Sequence, residues 1–310
     1  MGRLVDGKWQ VEDVITSDSS GSYKRQDSVF RDAIKAGSKF EAESGRYHLY
    51  VSFACPWASR TLMYRKLKEL EDHIGYSVVH PDMLDDGWTF DKSFPGATGD
   101  DLYDLKYLRE IYLKADPKAT TKITVPVLWD KKTETIVNNE SSEIIRMFNT
   151  EFNGLTGNRE DFYPEKQREE IDEWNELIYH TVNNGVYKSG FAKNQEAYEA
   201  AVKPLFETLD KLEGELSDKP FLHGEKPLES DLRLFPTLIR FDEVYVTHFK
   251  CNLKRIADYP NLQKYTERIY NIPGMKETVN LDHIKRHYFY SHESINPHRI
   301  LPVGPMRWTK

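Results

Sequence analysis

The sequence predicts a small α/β unit followed by a domain built of helices alone. Two observations carry this. Across residues 44–150, short runs with a two-residue apolar period alternate with helical periods in the order βαβαββα. After NGLTGNREDFYP the pattern changes, and from Glu165 onward the periods are long and helical with almost no strand signal. A small α/β unit joined to a helical domain gives each a face to bury.

Residues 1–43 are rich in Ser, Asp, Lys and Gly and read as an extended arm with little regular structure. Tyr47, Leu49, Val51 and Phe53 alternate with His48, Tyr50 and Ser52, a strand period. A helix follows with Met63, Leu67 and Leu70 on one face, and YSVVHP (76–81) reads as the second strand. DDGWTFDKSFPGATGDD is a loop, and DLYDLKYLREIYLKADP (101–117) a helix ended by Pro117. ITVPVLWD and TETIVNN read as an antiparallel pair turned at Asp130-Lys131-Lys132, and a helix from Glu140 to Asn149 closes the unit. The second part, residues 160–310, opens with EKQREEIDEWNELIYHTVNNGVY. NQEAYEAAVKPLFETLDKLEGELSD then keeps Leu205, Leu209, Leu212 and Leu216 on one face. PLESDLRLFPTLIRFDEVYVTHF is expected to kink at Pro236. NLQKYTERIYNI stops at Pro273-Gly274, and HYFYSHESINPHRILPVGPMRW reads as an irregular aromatic tail.

Composition narrows the function classes. With 310 residues, 39% hydrophobic and 30% charged, the chain is globular and long enough for two domains. A net charge of -7 gives no basic footprint for nucleic acid. No apolar run approaches the roughly 18 residues a membrane helix needs, and the first residues carry no apolar signal core. Two cysteines make no disulfide framework, so a reducing cytoplasm is the expected compartment.

Cys55 stands where a strand pattern stops and a helical one starts. Pro56 suits the first helical position, which makes Cys55 the N-cap, facing unpaired N–H groups and the positive end of the helix dipole. Both favour a thiolate, and Arg60 one turn on would add to that field. The alternative is a buried, inert thiol. That is the reading for Cys251, which lacks such a setting. Ala58 occupies the position where a Cys-x-x-Cys pair would place its second sulfur. A mixed disulfide at Cys55 therefore needs an external thiol, and the abundant cytosolic one is glutathione.

Three further features fit a peptide ligand. Val125-Pro126 lies within a strand pattern. A cis bond there would turn the Val125 backbone toward the cysteinyl part of glutathione, whereas a trans edge proline is the ordinary alternative. Glu140 and Ser141 open a helix, where Ser141 could hold a carboxylate and Glu140 an ammonium of one γ-glutamyl group; simple capping is the alternative. Tyr187, His287 and Tyr288 could hold an oxygenated ring and supply a proton, or be ordinary core residues. Trp88, in a loop expected near the cysteine, and Lys122, before the proline strand, read alone as packing and solvated residues. His283 and His287 have a metal-ligand spacing, but Ile284 stands where HExxH has Glu, so no metal is expected.

The stretches CPWA, TVPVLWDKKT, IVNNESSEIIRMFN, NNGVYKSGFA, RFDEVYVTHFKCNL and INPHRILPVGP, spread over nearly the whole chain, resemble the Xi-class glutathione transferases, the glutathionyl-hydroquinone reductases. The resemblance implies the glutathione transferase architecture, a thioredoxin-like domain plus an all-helical one, in a homodimer. It implies removal of glutathione from glutathionyl-hydroquinones, with glutathione as co-substrate and neither metal nor flavin. It places the catalytic cysteine at Cys55, glutathione contacts at Trp88, Val125, Glu140 and Ser141, and hydroquinone contacts at Tyr187, His287 and Tyr288. A basic contact, usually Arg, falls on Lys122, which keeps the charge and loses the fork. Leu228 stands where a capping Thr is common, which bears on folding. Rival readings are a conventional transferase or thiol transferase, and a non-catalytic assembly module.

Overall fold

The computed structural model describes residues 1–12, 15–305 and 307–308. The chain divides into two units. The first comprises Met1–Val14, Asp27–Glu160 and Glu277–Glu293; the second comprises Ile15–Gln26, Asp161–Lys276 and Ser294–Lys310.

The arm departs from the expectation of little regular structure. Asp6-Gly7, with φ of 48° and 73°, turns a hairpin of β1 (Gly2–Val5) and β2 (Lys8–Val11). A D-G pair between alternating residues is a strong hairpin signal, because both turn positions need positive φ. In the main sheet, β3 (Tyr47–Val51) pairs parallel with β4 (Gly75–Val78) and antiparallel with β6 (Val127–Asp130), and β6 pairs antiparallel with β7 (Thr135–Asn138). The order is β4-β3-β6-β7, and a second sheet joins β2, β1 and the two-residue β5 (Thr121–Lys122). The expected third strand, 123–130, thus begins only after Pro126, which has no N–H for a ladder. β3 is buried on both faces, so its apolar-polar alternation does not mark an inside and an outside. His48 is instead satisfied by Ser77 Oγ at 2.8 Å, and Tyr50 by Asp100 at 3.0 Å.

α1 (Pro56–Leu67) ends before Leu70. α2 runs only over Leu108–Ala115, where a helix from 101 is expected. The Asp100 carboxylate accepts the N–H groups of Leu102, Tyr103 and Leu105 at 3.1–3.2 Å, which gives those residues a partner outside a helix. α3 (Ser141–Thr150) follows β7, and the single turn α4 (Asn153–Thr156) follows it. Where β3 begins beside the end of β6, Arg46 forks onto Asp130 with two bonds of 2.8 Å. Burial pushes the Asp130 carboxyl up, but Arg46, Thr133 and the Lys132 N–H outweigh it and hold it below the usual range.

The second unit holds α5 (Arg168–Ile178), α6 (Gly185–Gly190), α7 (Gln195–Glu215), α8 (Glu229–Arg240), α9 (Val246–His248) and α10 (Pro260–Tyr270). Tyr179–Asn183 and Phe241–Tyr245 are π-helical turns. The irregularity expected at Pro236 falls beyond it, because Pro236 itself lies inside α8. Leu228, the N-cap of α8, offers no side-chain acceptor. Asp231 compensates, accepting Leu222 N, Leu228 N and Tyr265 Oη at 2.8–2.9 Å. Among the described residues, no helix is long and apolar enough to cross a membrane.

The expected irregular tail begins as a helix. α11 (Leu281–Ser291), capped by the Asn280 side chain, belongs to the first unit. Arg286 forks onto Asp82 at 2.7 and 2.8 Å, and His283 bonds Pro95 O at 2.8 Å.

Candidate active site

Cys55 is the N-cap of α1, with extended backbone (φ −77°, ψ 119°) and Pro56 next. Its carbonyl accepts both Ser59 N (3.0 Å) and Ser59 Oγ (3.1 Å), which fixes the first turn. The thiol is partly exposed and lies 3.4 Å from the carbonyl oxygen of Val125. The Val125–Pro126 bond is cis. Arg60 is buried, with its guanidinium 4.6 Å from the Trp57 ring centroid. Cys251 is the opposite kind of thiol: it is buried, and burial pushes its thiol up.

The segment Thr124–Val125 is held from behind by Tyr112. The Tyr112 hydroxyl donates to Thr124 O at 2.9 Å and lies 3.3 Å from Thr124 N. Asn139 Nδ2 also donates to this hydroxyl, at 3.2 Å, linking the proline strand to the start of α3. Burial pushes the Tyr112 phenol up, so it works as a neutral hydrogen-bonding group.

At that start, Glu140 is the N-cap. Its Oε1 accepts Ser142 N at 3.0 Å and Ser142 Oγ at 2.9 Å. Ser141 is 2% exposed, and its Oγ has no hydrogen-bond partner among the described residues. Capping therefore accounts for Glu140 and Ser142 and leaves Ser141 over. An orphaned hydroxyl at a helix N-terminus fits an anionic group, which would take its proton together with free N–H groups.

Trp88 is buried and stacks on His287, with centroids 4.9 Å apart and planes at 22°. His287 Nδ1 lies 2.8 Å from Pro81 O, and Tyr288 is buried with its ring 5.3 Å from that of His287. Lys122 is half-buried in β5, opposite Arg3 of β1.

Glutathione S-transferase N-terminal and C-terminal domain models match residues 54–151 and 195–268. Glutathionyl-hydroquinone reductase YqjG of Escherichia coli is 54% identical over 98% of this chain and 95% of its own length. The chain belongs to the Xi-class glutathione transferases, the glutathionyl-hydroquinone reductase family. Glutathionyl-hydroquinone reductase PcpF of Sphingobium chlorophenolicum is 49% identical to this Xi-class chain, covering 98% of it and 96% of PcpF. The glutathione-bound structure of YqjG superposes with a TM-score of 0.91 at 52% identity, covering 98% and 96% of the two chains. The Xi transferase of Phanerochaete chrysosporium gives 0.92 at 55%, covering 94% and 96%.

Within the first unit of this Xi-class chain, Cys55 meets Val125, Glu140 and Ser141 share a helix start, and Trp88, His287 and Tyr288 form one aromatic group. Tyr187 lies in the second unit, on α6. There its ring packs 5.4 Å from Phe249 and 6.2 Å from Tyr245, with Arg25 5.0 Å over it. Sequence reasoning missed Tyr112 and Asn139. The Asn before Glu140 was the available signal for the second, whereas Tyr112 reads as an ordinary apolar-face residue. Among the described residues, no cluster of His, Cys, Asp and Glu could hold a metal ion.

Proposed function

We propose that this chain is a glutathione-dependent reductase that removes glutathione from glutathionyl-hydroquinones, with Cys55 as nucleophile. One observation carries the reading: a partly exposed cysteine caps α1 beside the Val125 carbonyl. The names of the relatives support the substrate class. The Cys55 thiolate attacks the glutathionyl sulfur. An S–S bond forms as the C–S bond breaks, and its electron pair goes to the ring carbon. That carbon takes a proton from Tyr187, Tyr288 or His287, and hydroquinone leaves. A second glutathione thiolate attacks the glutathione sulfur of the mixed disulfide, releasing oxidised glutathione and the Cys55 thiolate.

Glutathione would lie with its cysteinyl backbone on Val125, its γ-glutamyl carboxylate on Ser141 and its ammonium on Glu140; Trp88 and Lys122 complete the set. The protein works as a cytoplasmic homodimer, without metal or flavin and without nucleic-acid or membrane partners. Turnover of glutathionyl-menadiol by Cys55→Ala tests the nucleophile. The expected loss is roughly 10³-fold or more, with no glutathione adduct by intact mass after exposure to oxidised glutathione. Unchanged turnover would refute it. Light scattering of the purified chain tests the dimer.

A further inference from the structure

The residues after Gln26 do more than cover the sheet edge. Asp32 N donates to Val137 O at 3.0 Å, Asn139 N donates to Phe30 O at 3.1 Å, and Phe30 N donates to Asn139 Oδ1 at 3.1 Å. Arg31 bridges to Asn138 in antiparallel register and pairs with Glu143; Ile34 N reaches Met147 Sδ at 3.0 Å. This stretch therefore runs antiparallel beside β7, bridging to it at Arg31–Asn138, and covers that edge of the sheet. Its register brings Ser28 to the N-terminus of α3, with Oγ 3.1 Å from Asn139 O and 3.2 Å from Glu140 Oε2.

The two carboxylate oxygens of Glu140 are thus treated differently. Oε1 has two donors, both from Ser142, whereas Oε2 faces the Ser28 hydroxyl. A carboxylate oxygen offers two lone-pair sites, so Oε2 keeps one for a further donor while Ser28 fixes its direction. The Ser28 hydroxyl has one proton, and both Asn139 O and Glu140 Oε2 lie within its reach.

We propose that Ser28 is a positioning residue for the ammonium group of the γ-glutamyl moiety: through Glu140 Oε2, the arm tunes how tightly glutathione is held. The inference rests on the assignment of Glu140 to that ammonium. It acts on binding and leaves the sulfur chemistry alone.

The test is calorimetric titration with glutathione and with its desamino analogue, which lacks only the ammonium. Ser28→Ala should weaken glutathione binding roughly three- to tenfold, the range of one hydrogen bond. Desamino-glutathione should bind the wild type and Ser28→Ala alike. Ser28→Thr, which keeps the hydroxyl, should restore binding, and kcat at saturating glutathione should stay unchanged in all three proteins. Equal loss for both ligands would mean that Ser28 merely supports the fold, and would overturn the proposal. Glu140→Gln separates the two failures. If it discriminates between the ligands and Ser28→Ala does not, the positioning role falls while the site stands. If it does not discriminate, the ammonium assignment falls and the inference with it.

Discussion

Ser141 shows how a single residue separates ligand binding from folding. Its hydroxyl is buried and has no partner among the described residues, so Ser141→Ala removes an unsatisfied group. Thermal unfolding should show little loss, or a small gain, in stability. Glutathione binding should weaken by about 10-fold or more, because a hydrogen bond to a charged group contributes roughly 1.5–3 kcal/mol. His48 governs a different property. Burial, with a smaller contribution from Lys131, pushes its imidazole down to about 4, while it would titrate near its ordinary 6.5 in the unfolded chain. Between those values the unfolded chain binds the extra proton and the native one does not. The stability from neutral His48 is therefore complete above 6.5 and is lost as pH falls toward 4. One such group accounts for about 3 kcal/mol. Urea unfolding at pH 7 and pH 4.5 should show that fall, and His48→Gln should flatten the slope. The burial of His48 was not legible in the sequence: it alternates as an outward residue would, and only the strand's second covered face reverses that.

Among the elements, α8 depends on a carboxylate in place of a capping hydroxyl. Burial raises the Asp231 carboxyl above its ordinary value, although Leu222, Leu228 and Tyr265 all donate to it and pull the other way. A raised carboxyl contributes most at acid pH and loses that contribution as pH rises through its folded value. At neutral pH its role is to satisfy three buried donors. Asp231→Ala strands all three and should cost about 3 kcal/mol or more in equilibrium unfolding, with catalytic constants of the folded fraction unchanged. The helix itself was visible in the periodicity of PLESDLRLF, but the carboxylate's reach to Leu222 and Tyr265 was not. α2 makes the converse point. Its periodicity extends back to Asp101, yet the Asp100 carboxylate claims the N–H groups that a longer helix would use.

For the whole molecule, the return of the chain to its first unit has a testable consequence. α11 brings His283, Ile284, His287, Tyr288 and Phe289 into buried positions and is fastened by the Arg286–Asp82 fork. Ending the chain after Lys276 would uncover Trp88 and the loop around Asp82. Such a truncation should lose cooperative unfolding and reductase turnover together, whereas Arg286→Lys, which keeps charge and loses the fork, should soften α11 alone, read as faster amide exchange there. By itself, the sequence determined the alternation of strands and helices across residues 44–150, the helix start at Cys55-Pro56 and the one at Glu140-Ser141. Those follow from local periodicity and capping chemistry, which act over a few residues. The tertiary structure decided that the arm lies along β7, that a helix near the end of the chain stacks a histidine on Trp88, and that Tyr112 braces the proline strand. Each is a contact between residues far apart in the chain, set by which surfaces close on each other, and no local pattern encodes it.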